Sequence, residues 1–204
     1  MKIKGFEPSN TKGEFFPVAP PSDDVTIYYH ATSRLFSPII EEQGFLPEFR
    51  FVSDEELAVL QKHAYRFVVS GTNYLLSLMG AKPITLSRTS TGVLRYIDPS
   101  RKGGIAKTLL DDVRLLLSEA ELAPCDREVL EAIVRRFEPL EREDAIIYAV
   151  GLSAEEEALL DGSDPCHAKM VPHSALLCAM IVPCGTRFRL EPQDEGPPLV
   201  LREG

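Results

Sequence analysis

Apolar residues in this chain follow two different periods. One set falls at Leu109, Leu110, Val113, Leu116 and Leu117, and another at Val129, Leu130, Ile133, Val134 and Phe137. Both have the three-and-four spacing of a helix that buries one face. Asp126, just ahead of the second set, is the expected cap. Three other segments are short, apolar and rich in β-branched or aromatic residues: 25–30, 145–150 and 174–182. They predict strands, the last two buried. Shorter strands are expected at 83–87 and 186–190.

The polar and proline positions punctuate these elements. Pro17, Pro20 and Pro21 stop regular structure in residues 1–24, which read as an extended arm steadied by Phe15 and Phe16. Thr32-Ser33 offers a cap for a helix over 35–43, with Pro38 in its first turn and Gly44 as its stop. Ser53 and Glu56 have capping-box spacing ahead of Leu57, Leu60, Gln61 and Tyr65, a helix that runs toward Ser70. Residues 74–79 continue it or form a second apolar helix. Residues 89–96 read as a turn and short helix, and 99–104 as a loop. Ser153 opens a short helix over 153–160, and the tail from Glu191 is polar and proline-broken.

The order of elements is strand, helices, strand, helices, strands, which predicts the α+β class with a small mixed sheet. The helical block 104–137 looks inserted between sheet strands. A single domain is expected over 25–190, between the 1–24 arm and a 191–204 tail. The length of 204 residues fits that expectation.

Composition narrows the partners. The formal charge of −9 repels polyphosphate and anionic membrane surfaces over most of the molecule. No apolar run is long enough to span a bilayer, and the N-terminus has no signal-peptide core. The expected place is the cytoplasm, or outside the cell without a cleaved signal. Cys125, Cys166, Cys178 and Cys184 include no pair at zinc-knuckle or dithiol spacing, so no metal is expected. Cys166-His167 reads as an ordinary loop, and Cys178 as a small core residue.

There is no Walker loop, no Gly-x-Ser-x-Gly elbow and no His-x-x-x-His pair. What remains is Tyr29-His30-Ala31-Thr32-Ser33, followed by Ile39-Ile40-Glu41-Glu42-Gln43-Gly44-Phe45. A histidine ending a strand places its ring at the mouth of the sheet. The small Ala31 lets a ligand approach the backbone, whose N–H and C=O can grip a carboxamide. Thr32 and Ser33 add hydroxyls at a helix start.

This arrangement resembles the first motif of the ADP-ribosyltransferase superfamily, in the branch with a histidine on the first core strand. The family pattern is Tyr-His-Gly-Thr-Ser, a helix, then a run ending in Gly and an apolar residue. Here the resemblance covers Tyr29 to Phe45, with Ala31 in place of the glycine. It implies a split mixed sheet and NAD as substrate. It implies that His30 bonds the NAD ribose and Ala31 the nicotinamide amide, with Tyr29, Thr32 and Ser33 completing the motif. Tyr96 is the implied stacker on nicotinamide, and Tyr74 the second candidate. Ser87-Arg88-Thr89-Ser90-Thr91 is similar to the Ser-Thr-Ser element of the other branch, although a solvated turn uses the same residue types.

The family places its catalytic Glu at the opening of a late strand. Ahead of 175–182 this chain has Pro172-His173-Ser174 instead. His173 or Ser174 therefore stands where the acid would be, and Glu155, Glu156 or Glu157 would have to reach in from a neighbouring loop. The implied activity is mono-ADP-ribosyl transfer from NAD to a macromolecule, protein or nucleic acid, of toxin, effector or defence type. An antitoxin or chaperone is a possible cover for such a cleft. The alternatives are a catalytically degenerate NAD-binding or interaction module of the same fold, and an unrelated α+β protein.

Overall fold

The computed structural model describes residues 1–5, 11–12, 15–46, 50–63, 84–98, 101–119, 121–162, 165–191 and 199–203. The end of the predicted helix toward Ser70, the 74–79 segment and Tyr74 lie outside them. The described residues form a mixed α+β arrangement. Its main sheet has four strands: β1 (Lys2–Gly5), β3 (Val25–Ser33), β6 (Ala145–Ser153) and β9 (Leu176–Val182), in the order β1-β9-β6-β3. β1 runs parallel to β9, and the other two pairings are antiparallel.

β3 is longer than its sequence pattern. It continues through Ala31, Thr32 and Ser33 because all nine of its residues face partners on β6, from Val25 opposite Ser153 to Ser33 opposite Ala145. The N-terminal segment, read as an arm, supplies β1 to the sheet. The C-terminal segment, read as a polar tail, holds β11 (Leu199–Glu203), which pairs with β10 (Arg187–Glu191) and with β2 (Thr11–Lys12). Two short antiparallel pairs complete the strands. β4 (Gly44–Phe45) pairs with β8 (Val171–Pro172), and β5 (Ile84–Leu86) pairs with β7 (Cys166–Ala168). Cys166-His167 is thus strand rather than loop, because β5 offers it a ladder.

The helices are α1 (Ser37–Gln43), α2 (Asp54–His63), α3 (Ile105–Glu119), α4 (Pro124–Phe137) and the single turn α5 (Ala154–Glu157). Ser33 caps a 3-10 turn, Arg34–Phe36, that leads into α1, and Gly44 ends α1 at φ 77. α4 starts earlier than expected, with Ala123 as its cap and Pro124 in its first turn. Asp126 lies inside that turn and accepts hydrogen bonds from Lys62 and His63 instead of capping. The 153–160 helix is shortened to α5, still closed by a Ser153–Glu156 capping box.

The strand pleat divides the core into two clusters. Tyr28, Ile146, Tyr148 and Val150 face one side, under Leu109, Leu110, Val113, Leu116, Leu130 and Ile133 of α3 and α4. Tyr29, Ala31, Ile147 and Ala149 face the other, under Phe16, Val93, Leu94 and Ile97. Each fully buried leucine or isoleucine of the helical stripes contributes about 1.5–3 kcal/mol of burial. No helix among the described residues is long and apolar enough to cross a membrane.

Candidate functional site

β3 and β5 touch at one point and then part. Tyr29 N–H donates to the Ser87 carbonyl at 2.7 Å, and Ser87 N–H donates back to the Tyr29 carbonyl at 2.9 Å. The next rung of such a ladder would join Ala31 to Thr85. It is absent: the single bridge is Tyr29–Ser87. The His30 ring crosses the gap instead, with Nδ1 at 2.9 Å from the Thr85 carbonyl oxygen. A carbonyl only accepts, so Nδ1 carries the proton and Nε2 is left as an acceptor. Burial of the mostly covered ring pushes its pKa down to about 4, against a smaller opposing effect of the Thr85 bond. His30 is therefore neutral at physiological pH.

The backbone beside it is set up by the same pleat. Because Tyr29 turns its N–H and C=O toward β5, Ala31, two residues on, turns its own the same way. There they meet the gap, and no described residue pairs with them. Ala31 thus offers one donor and one acceptor, side by side, at the edge of the split.

Two aromatic residues flank His30. Phe45 sets its ring edge-on at 4.5 Å between centroids, and Tyr148, opposite His30 in the ladder, lies 5.6 Å from Phe45. The Tyr148 hydroxyl is buried near Ser37 and Glu41, and burial raises it to about 12. Across β5, Thr85 Oγ1 lies 3.5 Å from His167 Nδ1. Farther back on the face that carries His30, Glu157 accepts from Tyr28 Oη at 2.6 Å, Thr26 Oγ1 at 2.9 Å and Arg88 Nη2 at 2.7 Å. The two hydroxyls hold its carboxyl below the usual carboxylate range.

The sequence-selected residues divide into groups. His30 and Ala31 share the split. Tyr29 is buried, and its hydroxyl donates to the Phe16 carbonyl, so it anchors the N-terminal segment. Ser33 caps the 3-10 turn, and Thr32 is buried. Tyr96 packs against the Tyr29 and Ala31 cluster, with the Arg95 guanidinium 4.8 Å from its ring centroid. It therefore lies on the face of β3 opposite the His30 ring and does not meet it.

His173 and Ser174 are exposed in a 3-10 turn, His173–Ala175, that packs against α1 and β4. Among the described residues neither is bonded to His30. Thr85 and His167 carried no motif signal, since each becomes meaningful only when β5 and β7 pair. In the 87–91 segment, Ser87 and Ser90 are buried, Ser90 Oγ accepts from Phe16 N–H, and Thr89 Oγ1 accepts from Gly92 N–H. Thr89 thus serves the turn itself, and Ser90 ties the turn to the N-terminal segment.

Among the described residues no group of three or more His, Cys, Asp or Glu is placed to hold a metal ion. Comparison with family models, with curated proteins and with solved structures returns no match for this chain.

Proposed function

We propose that the chain binds NAD at the split between β3 and β5 and transfers its ADP-ribose to a macromolecular acceptor, in the manner of ADP-ribosyltransferases. The observation that carries the reading is the backbone edge of Ala31, unpaired among the described residues, beside Nε2 of a neutral His30. A primary carboxamide presents one acceptor and a pair of donors in a plane, which matches one N–H and one C=O side by side. The nicotinamide amide is such a group, and Nε2, as an acceptor, can take a hydrogen bond from a ribose hydroxyl. In the transfer, the bond from ribose to the nicotinamide nitrogen breaks, nicotinamide leaves with the electron pair, and the acceptor nucleophile bonds to the cationic ribose carbon and gives up its proton to solvent. Glu157, bonded to Tyr28 two residues before His30, is an acid on that face of β3, and its ionised carboxylate suits a developing positive charge.

A second reading, a binding module without turnover, is favoured by one feature. Glu157 is already paired with Arg88, which neutralises the charge that transfer would use.

Calorimetric titration with NAD tests the site, on wild type and on His30→Ala. Binding to wild type and its loss in the variant are expected, and a folded wild type that binds no NAD overturns the reading. Incorporation of labelled ADP-ribose into candidate acceptors then separates the transferase from the binding module.

A further inference from the structure

Glu157 has partners of two kinds. Tyr28 Oη and Thr26 Oγ1 donate to it from β3, at 2.6 and 2.9 Å, and Tyr28 is 1% exposed. Arg88 donates from the segment after β5, Nη2 to Oε1 at 2.7 Å, with its own side chain 57% exposed. The hydroxyls fix where the carboxylate sits, and Arg88 masks its charge. An ion pair with one partner so far in water is weak, so a better anion can displace it. Arg88 also stands where an anion would meet the split. It follows Ser87, which shares the last rung with Tyr29. Its guanidinium carbon lies 5.8 Å from the Tyr28 ring centroid, and Tyr28 and His30, two positions apart on β3, project from one face. Arg34 and Arg95 are placed otherwise: Arg34 faces Asp144, and Arg95 lies over Tyr96 on the opposite face. With a formal charge of −9, the chain needs a local cation to hold a phosphate ligand.

We propose that Arg88 is the pyrophosphate-binding residue of the split, and that it masks Glu157 until a pyrophosphate-bearing ligand draws it away. This deepens the NAD reading and rests on it for the dinucleotide as carrier of that group. The Arg88 bond to Glu157 runs from one nitrogen to one oxygen, whereas a phosphate takes the guanidinium fork by two parallel bonds. Once Arg88 moves, Glu157 keeps its two hydroxyl donors and its place, and regains a full negative charge. Arrival of the substrate and unmasking of the carboxylate are then one event, and the empty split keeps its acid neutralised.

Inorganic pyrophosphate is the probe, titrated calorimetrically into the whole protein. Wild type is expected to bind it, and Arg88→Met to bind it at least about tenfold more weakly. Glu157→Gln removes the competitor for Arg88 and is expected to bind it about fivefold more tightly, the worth of an exposed ion pair. That gain is expected to vanish when Arg88→Met is added, which a merely structural Arg88 would not produce. Wild type with no affinity for pyrophosphate overturns the proposal, as does an undiminished affinity in Arg88→Met or the absence of a gain in Glu157→Gln. NAD titrations in parallel separate this proposal from the reading it rests on. Pyrophosphate held through Arg88 without binding of NAD removes the NAD reading and leaves the pyrophosphate site. NAD bound equally by wild type and Arg88→Met keeps the NAD reading and removes the role of Arg88.

Discussion

His30 and Thr85 are joined where their strands part: the His30 Nδ1–H reaches the Thr85 carbonyl at 2.9 Å, one step beyond the last shared rung. The ring does the work of a missing ladder bond, and in doing so fixes its own tautomer. A buried neutral imidazole has a definite pH signature. Its folded pKa, about 4, lies below the ordinary 6.5. Between those values the unfolded chain takes up a proton that the folded ring refuses, so stability falls as pH drops through this window. Denaturation of wild type and His30→Gln at several pH values checks it. The stability difference, wild type minus variant, is expected to shrink from pH 6.5 down to about 4 and to be flat above. Affinity for NAD is expected to stay level from pH 8 to about 5, and to fall only as Nε2 becomes protonated.

The acid nearest in role to a catalytic carboxylate is tied to a tyrosine. Burial, first, and Glu157, second, push the Tyr28 hydroxyl up to about 12. The folded value lies above the ordinary 10, so this group's contribution to stability is full below pH 10 and is lost as pH rises toward 12. Glu157→Gln removes the second cause and leaves the first. Ultraviolet difference titration is expected to show one tyrosine ionising earlier in the variant, though still above pH 10. An unchanged titration would mean that the carboxylate does not govern this hydroxyl.

Much of the scaffold was legible because its signals are local. The Ser53–Glu56 box forms both of its bonds, at 2.8 and 3.2 Å. The stripe of Leu109, Leu110, Val113 and Leu116 is buried as its spacing requires. His30 and Ala31 could be singled out because their motif is contiguous. His167 could not, since its link to Thr85 spans 82 positions and depends on a three-residue strand. The same applies to β1, whose parallel pairing with β9 is a contact between opposite ends of the chain. Tyr96 shows a different failure: its position along the chain suited a stacking role, but the face it occupies is set by how the 3-10 turn packs on Tyr29 and Ala31.

Gly44 ties the helix after the split to the strand that precedes β9. Its φ is +77, and a Cβ there would lie 2.4 Å from the Val171 carbonyl oxygen and 2.5 Å from the His173 nitrogen. Both are backbone atoms of the paired segment, so relief requires moving β8 away from β4. Gly44→Ala is expected to cost at least about 2 kcal/mol, from strain at positive φ together with the clash. Urea denaturation measures this. Because Phe45 follows directly and sets the His30 ring, NAD affinity is expected to fall in the same variant.

Arg136 and Glu56 fasten α4 to the start of α2. Arg136 Nη1 donates to Glu56 Oε2 at 3.0 Å and to the Phe51 carbonyl at 3.1 Å, and Nη2 donates to Glu56 Oε1. Burial alone would raise the Glu56 carboxyl, but Arg136 and Ser53 outweigh it, and its pKa lies below the ordinary value. Arg136→Met leaves an ionised, mostly buried carboxylate with only its capping contact. About 1–3 kcal/mol is expected to be lost at neutral pH, less than for a sealed pair because the guanidinium is half exposed. A depressed carboxyl contributes its stability above the unfolded pKa and loses it as pH falls through the folded value. The gap between wild type and Arg136→Met is therefore expected to narrow in acid. Adding Glu56→Gln is expected to recover part of the loss at pH 7, because the uncompensated charge is then gone. If the double variant were as unstable as the sum of the two single ones, the pair would hold α2 and α4 by packing and not by charge.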